Sequence, residues 1–144
     1  MEYTVSNTIK APLDNVVEKF FDPNSVEHWM EGYKGMEHLK GTPGQVGAET
    51  NFTFEHKGKE MIIHETILER NSPNQVKFAY RSKMGYNEVE MIFEKIDENS
   101  TSQTNHSMFK LKGGMKLFGW MFKGMMKKQS MTYLTSFKDF VEKN

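Results

Sequence analysis

The sequence predicts an α+β domain in which a curved, seven-stranded antiparallel sheet wraps around one long C-terminal helix, with two short helices near the N-terminus. Three observations lead there. Apolar and polar residues alternate with period two through much of the chain up to Lys112, which is the pattern of half-buried strands. Apolar residues then recur at helical spacing over residues 115–143. Gly113-Gly114 separates the two regimes. At 144 residues, and without a linker or an internal repeat, residues 1–144 are expected to form a single domain around one core.

Residues 2–10 read as the first strand, with Tyr3, Val5 and Ile9 on one face and Asn7 as a polar member of that face. Ala11-Pro12-Leu13-Asp14 opens a short helix carrying Val16, Val17, Phe20 and Phe21, and Asp22-Pro23-Asn24 stops it. A second short helix or turn, about Ser25 to Met30, holds Trp29. A glycine-punctuated stretch follows, with a weak strand at Met36 to Lys40. From Glu49 the chain is a meander. Residues 49–57 place Phe52, Phe54 and His56 together, while 60–70 is apolar on both faces, so its register is open. Val76, Phe78 and Tyr80 alternate with polar neighbours, as do Val89, Met91 and Phe93. The last strand, about 101–112, is polar at its centre. The helix of residues 115–143 gathers Met115, Phe118, Phe122, Met125, Met126, Tyr133, Phe137, Phe140 and Val141 into one stripe, interrupted by Gln129 and Ser136. Gly119 and Gly124 weaken its first turns and suggest a kink or a late start near Gly124.

Composition narrows the partners. Basic and acidic residues both number 19, so no net field attracts nucleic acid. The absence of cysteine removes disulfides and thiolate chemistry. No apolar run is long enough for a membrane span, so stable insertion is not expected. The N-terminus enters a strand directly, without a leader, and a cytoplasmic protein is the expectation. Twelve methionines and eleven phenylalanines suit an adaptable apolar surface.

One helix covers only one face of such a sheet, so the sheet must curl around it, and the concavity between them is the natural place for an apolar ligand. The alternative is a solidly packed core. The order of elements resembles the SRPBCC superfamily, which includes START-like and polyketide cyclase or dehydrase-like proteins. The resemblance rests on the strand ending Thr8-Ile9-Lys10-Ala11-Pro12, then Val16–Phe20, Asp22-Pro23 and Trp29. It continues through Gly44 and Gly47, the turn Glu69-Arg70-Asn71-Ser72-Pro73, and the close Phe137-Lys138-Asp139-Phe140-Val141-Glu142. It implies a helix-grip fold with a deep hydrophobic pocket for a lipid, sterol or polyketide-like molecule. On that basis the pocket would be lined by Trp29, Phe52, Phe54, Met61, Ile63, Phe78, Tyr80, Met91, Phe93, His106, Phe122, Met126, Gln129, Tyr133 and Phe137.

Polar residues on apolar faces are candidates to orient a ligand: Asn7, Gln129, Ser136, and either Asn105 with Ser107 or His106 with Met108. The five histidines lack metal-ligand spacing, and no cofactor fingerprint is present, so neither metal nor cofactor is expected. Catalysis would need a base near the pocket, for which His106, Glu65 and Tyr80 qualify. The reading is a binding protein first. A cyclase, dehydratase or hydrolase using the same cavity is the second reading. The third is a protein-interaction module, like relatives that resemble activators of a heat-shock ATPase. Here Trp120 and Met131, with Leu117 nearby on the helix face away from the stripe, would meet a partner subunit or a membrane surface, while Leu134 on the same face is expected to be covered by the N-terminal helices or a loop.

Overall fold

The computed structural model describes residues 1–144. Strand β1 (Glu2–Ile9) leads into helix α1 (Leu13–Phe21), a 3-10 turn at Pro23–Ser25 and the short helix α2 (Val26–Trp29). Strands β2 (Tyr33–Lys40), β3 (Glu49–His56), β4 (Lys59–Ser72), β5 (Gln75–Ser82), β6 (Gly85–Asp97) and β7 (Ser100–Leu111) follow. All pairings are antiparallel, in the order β1-β7-β6-β5-β4-β3-β2. A 3-10 segment at Gly113–Phe118 precedes helix α3 (Gly119–Lys143).

Local chemistry explains the joints. Pro12 presets the entry to α1, and the Asp22 carboxylate accepts from the Asn24 N–H at 2.9 Å. The Ser25 hydroxyl shares its one proton between the carbonyls of Lys19 at 2.7 Å and Asp22 at 2.8 Å, which ties down the end of α1. The hairpin between β3 and β4 turns through Lys57 (φ 52°) and Gly58 (φ 78°), the positive-φ pair that matches strand twist. At the start of α3 the structure departs from the sequence reading. Residues 113–118 form a 3-10 segment, and the α-helix begins at Gly119 rather than at 115. Gly113 and Gly114 supply no helix preference, and Lys112 offers no side-chain cap, so the first turns are tight and uncapped.

Polar contacts seat α3 along β1. The Tyr3 hydroxyl shares a hydrogen bond with Ser130 Oγ at 2.6 Å and donates to the Met126 carbonyl at 3.2 Å. Gln103 Nε2, fully buried, donates to Asn7 Oδ1 at 2.8 Å and to the Leu134 carbonyl at 3.2 Å. At the far end, Lys138 Nζ donates to the Thr8 carbonyl and to Glu142, whose carboxylate also accepts from the Lys10 N–H at 2.8 Å. This attachment turns the helix. Leu134, Phe137 and Val141 face the core, whereas Phe118 and Met125, expected on the inner stripe, are exposed. Leu134, on the opposite face but expected to be covered, is buried in the core.

The core is aromatic at its centre. Phe20 lies edge-on to Phe93 at 5.0 Å and to Phe137 at 5.5 Å, and Trp29 lies 5.0 Å from Phe137. Each such pair adds roughly 0.5–1.5 kcal/mol beyond its buried area. The cluster closes one end of the space between sheet and helix.

Candidate functional site

Cross-strand pairing identifies the concave face. Ile67, Phe78, Val89, Ser107 and Tyr3 are successive partners across β4-β5-β6-β7-β1, and all are buried. Two residues along β4 runs a second row on the same face: Thr50, Glu65, Tyr80, Asn87 and Phe109. Beyond it Phe52 pairs with Ile63 and Phe54 with Met61. Alternation thus resolves the open register of β4: Met61, Ile63, Glu65 and Ile67 point inward, and the exposed Ile62 points out.

Helix α3 packs mainly on β1 and touches β7, α1 and α2, and on β4 and β5 the inward Ile67 and Phe78 are buried, whereas the inward Phe52, Phe54, Met61 and Ile63 of β3 and β4 are only half-buried. Phe52 and Phe54 stack at 6.3 Å, and Tyr33 meets both edge-on at 6.5 and 6.2 Å. These rings, with Met61 and Ile63, are half-buried and stand apart from the main core. They form a partly exposed apolar wall on the concave face, while Phe122, Met126 and Tyr133 of α3 pack against the main core.

The polar row crosses this wall. The Tyr80 hydroxyl donates to the Glu65 carboxylate at 2.8 Å. Burial raises the Glu65 pKa from 4.5 to about 7, against the opposing effect of the Tyr80 hydrogen bond. Glu65 keeps partial exposure on the concave face while protein encloses it on most sides, so desolvation dominates. The Tyr80 phenol is pushed well above its ordinary range, first by burial and then by the Glu65 charge. Burial also raises Tyr133, which the neighbouring Gln129 side chain partly offsets and the Glu31 charge reinforces. Next to Tyr80, the buried Asn87 Oδ1 has no hydrogen-bond partner. A carboxyl group with a pKa near neutrality and an unused amide oxygen thus flank Tyr80 on the concave face.

The candidate residues separate into groups. Phe52, Phe54, Met61 and Ile63 belong to the wall with Tyr80 beside them, and Phe122, Met126 and Tyr133 pack against the core from the helix, with Tyr133 near Tyr80. Trp29, Phe78, Met91, Phe93 and Phe137 are buried in the core cluster, where Phe20 packs on all of the aromatic ones. Gln129 is exposed on the flank of α3 and reaches Tyr133 from outside. His106 does not reach the concave face. It lies on the outer face of β7 and hydrogen-bonds Thr4 at 2.8 Å, because inward alternation selects Thr101, Gln103, Asn105 and Ser107. Those four are satisfied internally: Thr101 donates to the Ala11 carbonyl at 2.8 Å and Ser107 to Asn105 at 2.7 Å. Sequence reasoning missed Asn87, although continuing the Val89, Met91, Phe93 alternation backwards points to it. A separate groove of about 710 Å³ opens between α2 and the end of α3. It is lined mostly by charged and polar groups, includes Trp29 and Ser136 of the sequence candidates, and does not include Glu65 or Tyr80.

The curved sheet, the helix laid across it and the uncovered apolar wall define a START-like domain of the SRPBCC type. The chain belongs to the polyketide cyclase/dehydrase and lipid transport family, whose model matches residues 1–136. Among solved structures it is similar to a START superfamily protein from Mycobacterium smegmatis, at 12% identity and a TM-score of 0.84 over 99% of this chain and 97% of that one. It is also similar to the Zhui aromatase/cyclase of a Streptomyces species, at 14% identity and a TM-score of 0.81 over 99% and 93%. A third likeness is to Ara h 8.0201, at 13% identity and a TM-score of 0.79 over 100% and 99%. At these identities the likeness is one of fold. No curated protein matches the chain in sequence.

Proposed function

We propose that the chain binds an apolar small molecule, lipid, sterol or polyketide-like, in a cleft between the apolar wall and α3, and reads one polar group on it through Glu65, Tyr80 and Asn87. The unpartnered Asn87 Oδ1 beside the Tyr80-Glu65 pair carries the proposal. An unsatisfied buried acceptor costs about 1–3 kcal/mol, a cost that a ligand hydroxyl would relieve by donating to it. Phe52, Phe54, Met61 and Ile63 supply apolar contact for the rest of the molecule. Native mass spectrometry of freshly purified protein should show a co-purified hydrophobic compound. Titration with hydroxylated and deoxygenated members of one sterol or aromatic polyketide series should favour the hydroxylated member at least tenfold. Equal affinities, or no binding of either, would sink the reading.

A second reading, an enzyme of the cyclase or dehydratase kind, draws on the Glu65 pKa of about 7, where a carboxyl group exchanges protons efficiently at neutral pH. Family membership and the fold shared with an aromatase/cyclase support it. On this reading Glu65→Gln keeps ligand affinity and abolishes turnover of an aromatic polyketide substrate. Unchanged turnover in the variant would remove Glu65 as the base, and no turnover by the wild type would leave the binding role alone.

A further inference from the structure

The charges of this neutral chain are not evenly spread. Seven of its 19 basic residues and none of its 19 acidic residues fall between Asn99 and Lys138, which leaves the rest of the chain seven charges negative. Lys110, Lys112, Lys116, Lys123, Lys127 and Lys128 are all exposed. Among them, on the 3-10 segment and the first turns of α3, stand large apolar side chains in solvent: Leu117 at 79% exposure and Trp120 at 74%, with Phe118, Met121 and Met125 more than half exposed. Consecutive apolar groups this exposed mark a contact surface.

We infer that this face docks on an anionic lipid surface, lying in the interface without crossing it. No helix of the chain is long and apolar enough to span a membrane. Amphipathic segments that combine lysines with Trp, Phe and Leu sit at the headgroup boundary, where the indole tolerates both phases and the ammonium groups meet phosphate. A second copy is the poorer partner. A two-fold contact sets each patch against itself, and here it would press lysine onto lysine. A pocket of about 350 Å³ adds a place for a headgroup, with Lys110 and Lys116 beside the apolar Met1, Phe109 and Leu111. Phe122 and Met126, on the same turns of α3, pack inward against the core, so docking would bring the ligand cleft close to the lipid.

The test is co-sedimentation of the full chain with vesicles of phosphatidylcholine alone and of phosphatidylcholine mixed with phosphatidylglycerol. Binding is expected only to the mixed vesicles and should weaken with salt. Trp120 emission should shift to the blue, whereas Trp29 is already buried and hydrogen-bonded to Ser25. The triple variant K123E, K127E and K128E should bind at least roughly a hundredfold more weakly, and L117S with W120S at least roughly tenfold. These side chains are solvent-exposed, so the variants should fold, which circular dichroism would verify. No binding to the mixed vesicles, or equal binding by wild type and variants, overturns the inference. So does a concentration-dependent dimer in sedimentation that the same variants dissociate, because that result assigns the face to a second copy.

Discussion

Replacing Glu65 by glutamine removes an ionisation while keeping the shape of the side chain and an oxygen that accepts from Tyr80. In the folded protein Glu65 titrates at about 7 instead of 4.5, chiefly because burial disfavours its charged form. Between those values the folded state holds a proton that the unfolded state has released, so stability falls as pH rises through this window. Below it the carboxyl is neutral in both states and costs nothing. Above it the full difference applies, and at about 1.36 kcal/mol per pH unit this amounts to at most about 3 kcal/mol. The Glu65→Gln protein should match wild type near pH 4 and exceed it by about 3 kcal/mol at pH 8, which for a domain of this size is a Tm difference of about 6–12 °C. Thermal unfolding of both proteins across this range, at constant ionic strength, measures it. Glu49 is held low by Lys40 and His64, and Glu142 by the Lys10 N–H and Lys138, so both lose stabilisation as pH falls. They do so equally in the two proteins and cancel in the difference. A Tm difference that does not change with pH would refute the assignment of Glu65 as a desolvated carboxyl.

Asn87→Leu should leave the denaturant midpoint of the ligand-free protein unchanged or higher, since it removes an unpaired buried acceptor, yet lower affinity for a hydroxylated ligand about tenfold, read by titration calorimetry. Gln103→Leu should cost about 1–3 kcal/mol in urea unfolding, because Asn7 Oδ1 loses its donor. Gly85→Ala should cost about 2–4 kcal/mol by the same measurement. Gly85 has φ 148°, and an added methyl would run into the Lys110 carbonyl across the β6-β7 pair.

The legible parts of this protein were those where one sequence period had one explanation. In β5 and β6, polar residues on one face leave only one side to bury, so Val76, Phe78, Val89, Met91 and Phe93 declared their direction before any partner strand was known. Element order and the long C-terminal helix followed from the same periodicities. Where both faces of a segment look alike, its own pattern holds no direction, and distant partners decided. β4 is apolar on both sides, and Glu65 turns inward because it pairs with Thr50 and Tyr80. β7 is polar on both sides, and its pairing with β1 sends Asn105 and Ser107 inward and His106 out. The helix stripe implied an inner face, but the hydrogen bonds of Tyr3 and Gln103 rotate α3 toward β1. With the helix so placed Leu134 is buried, Met125 is exposed, and Phe52, Phe54, Met61 and Ile63 are left half-buried. Sequence alone established the sheet and the helix that grips it. The seat of the helix on the sheet is set by contacts between residues more than a hundred positions apart, and such contacts leave no trace in a local period.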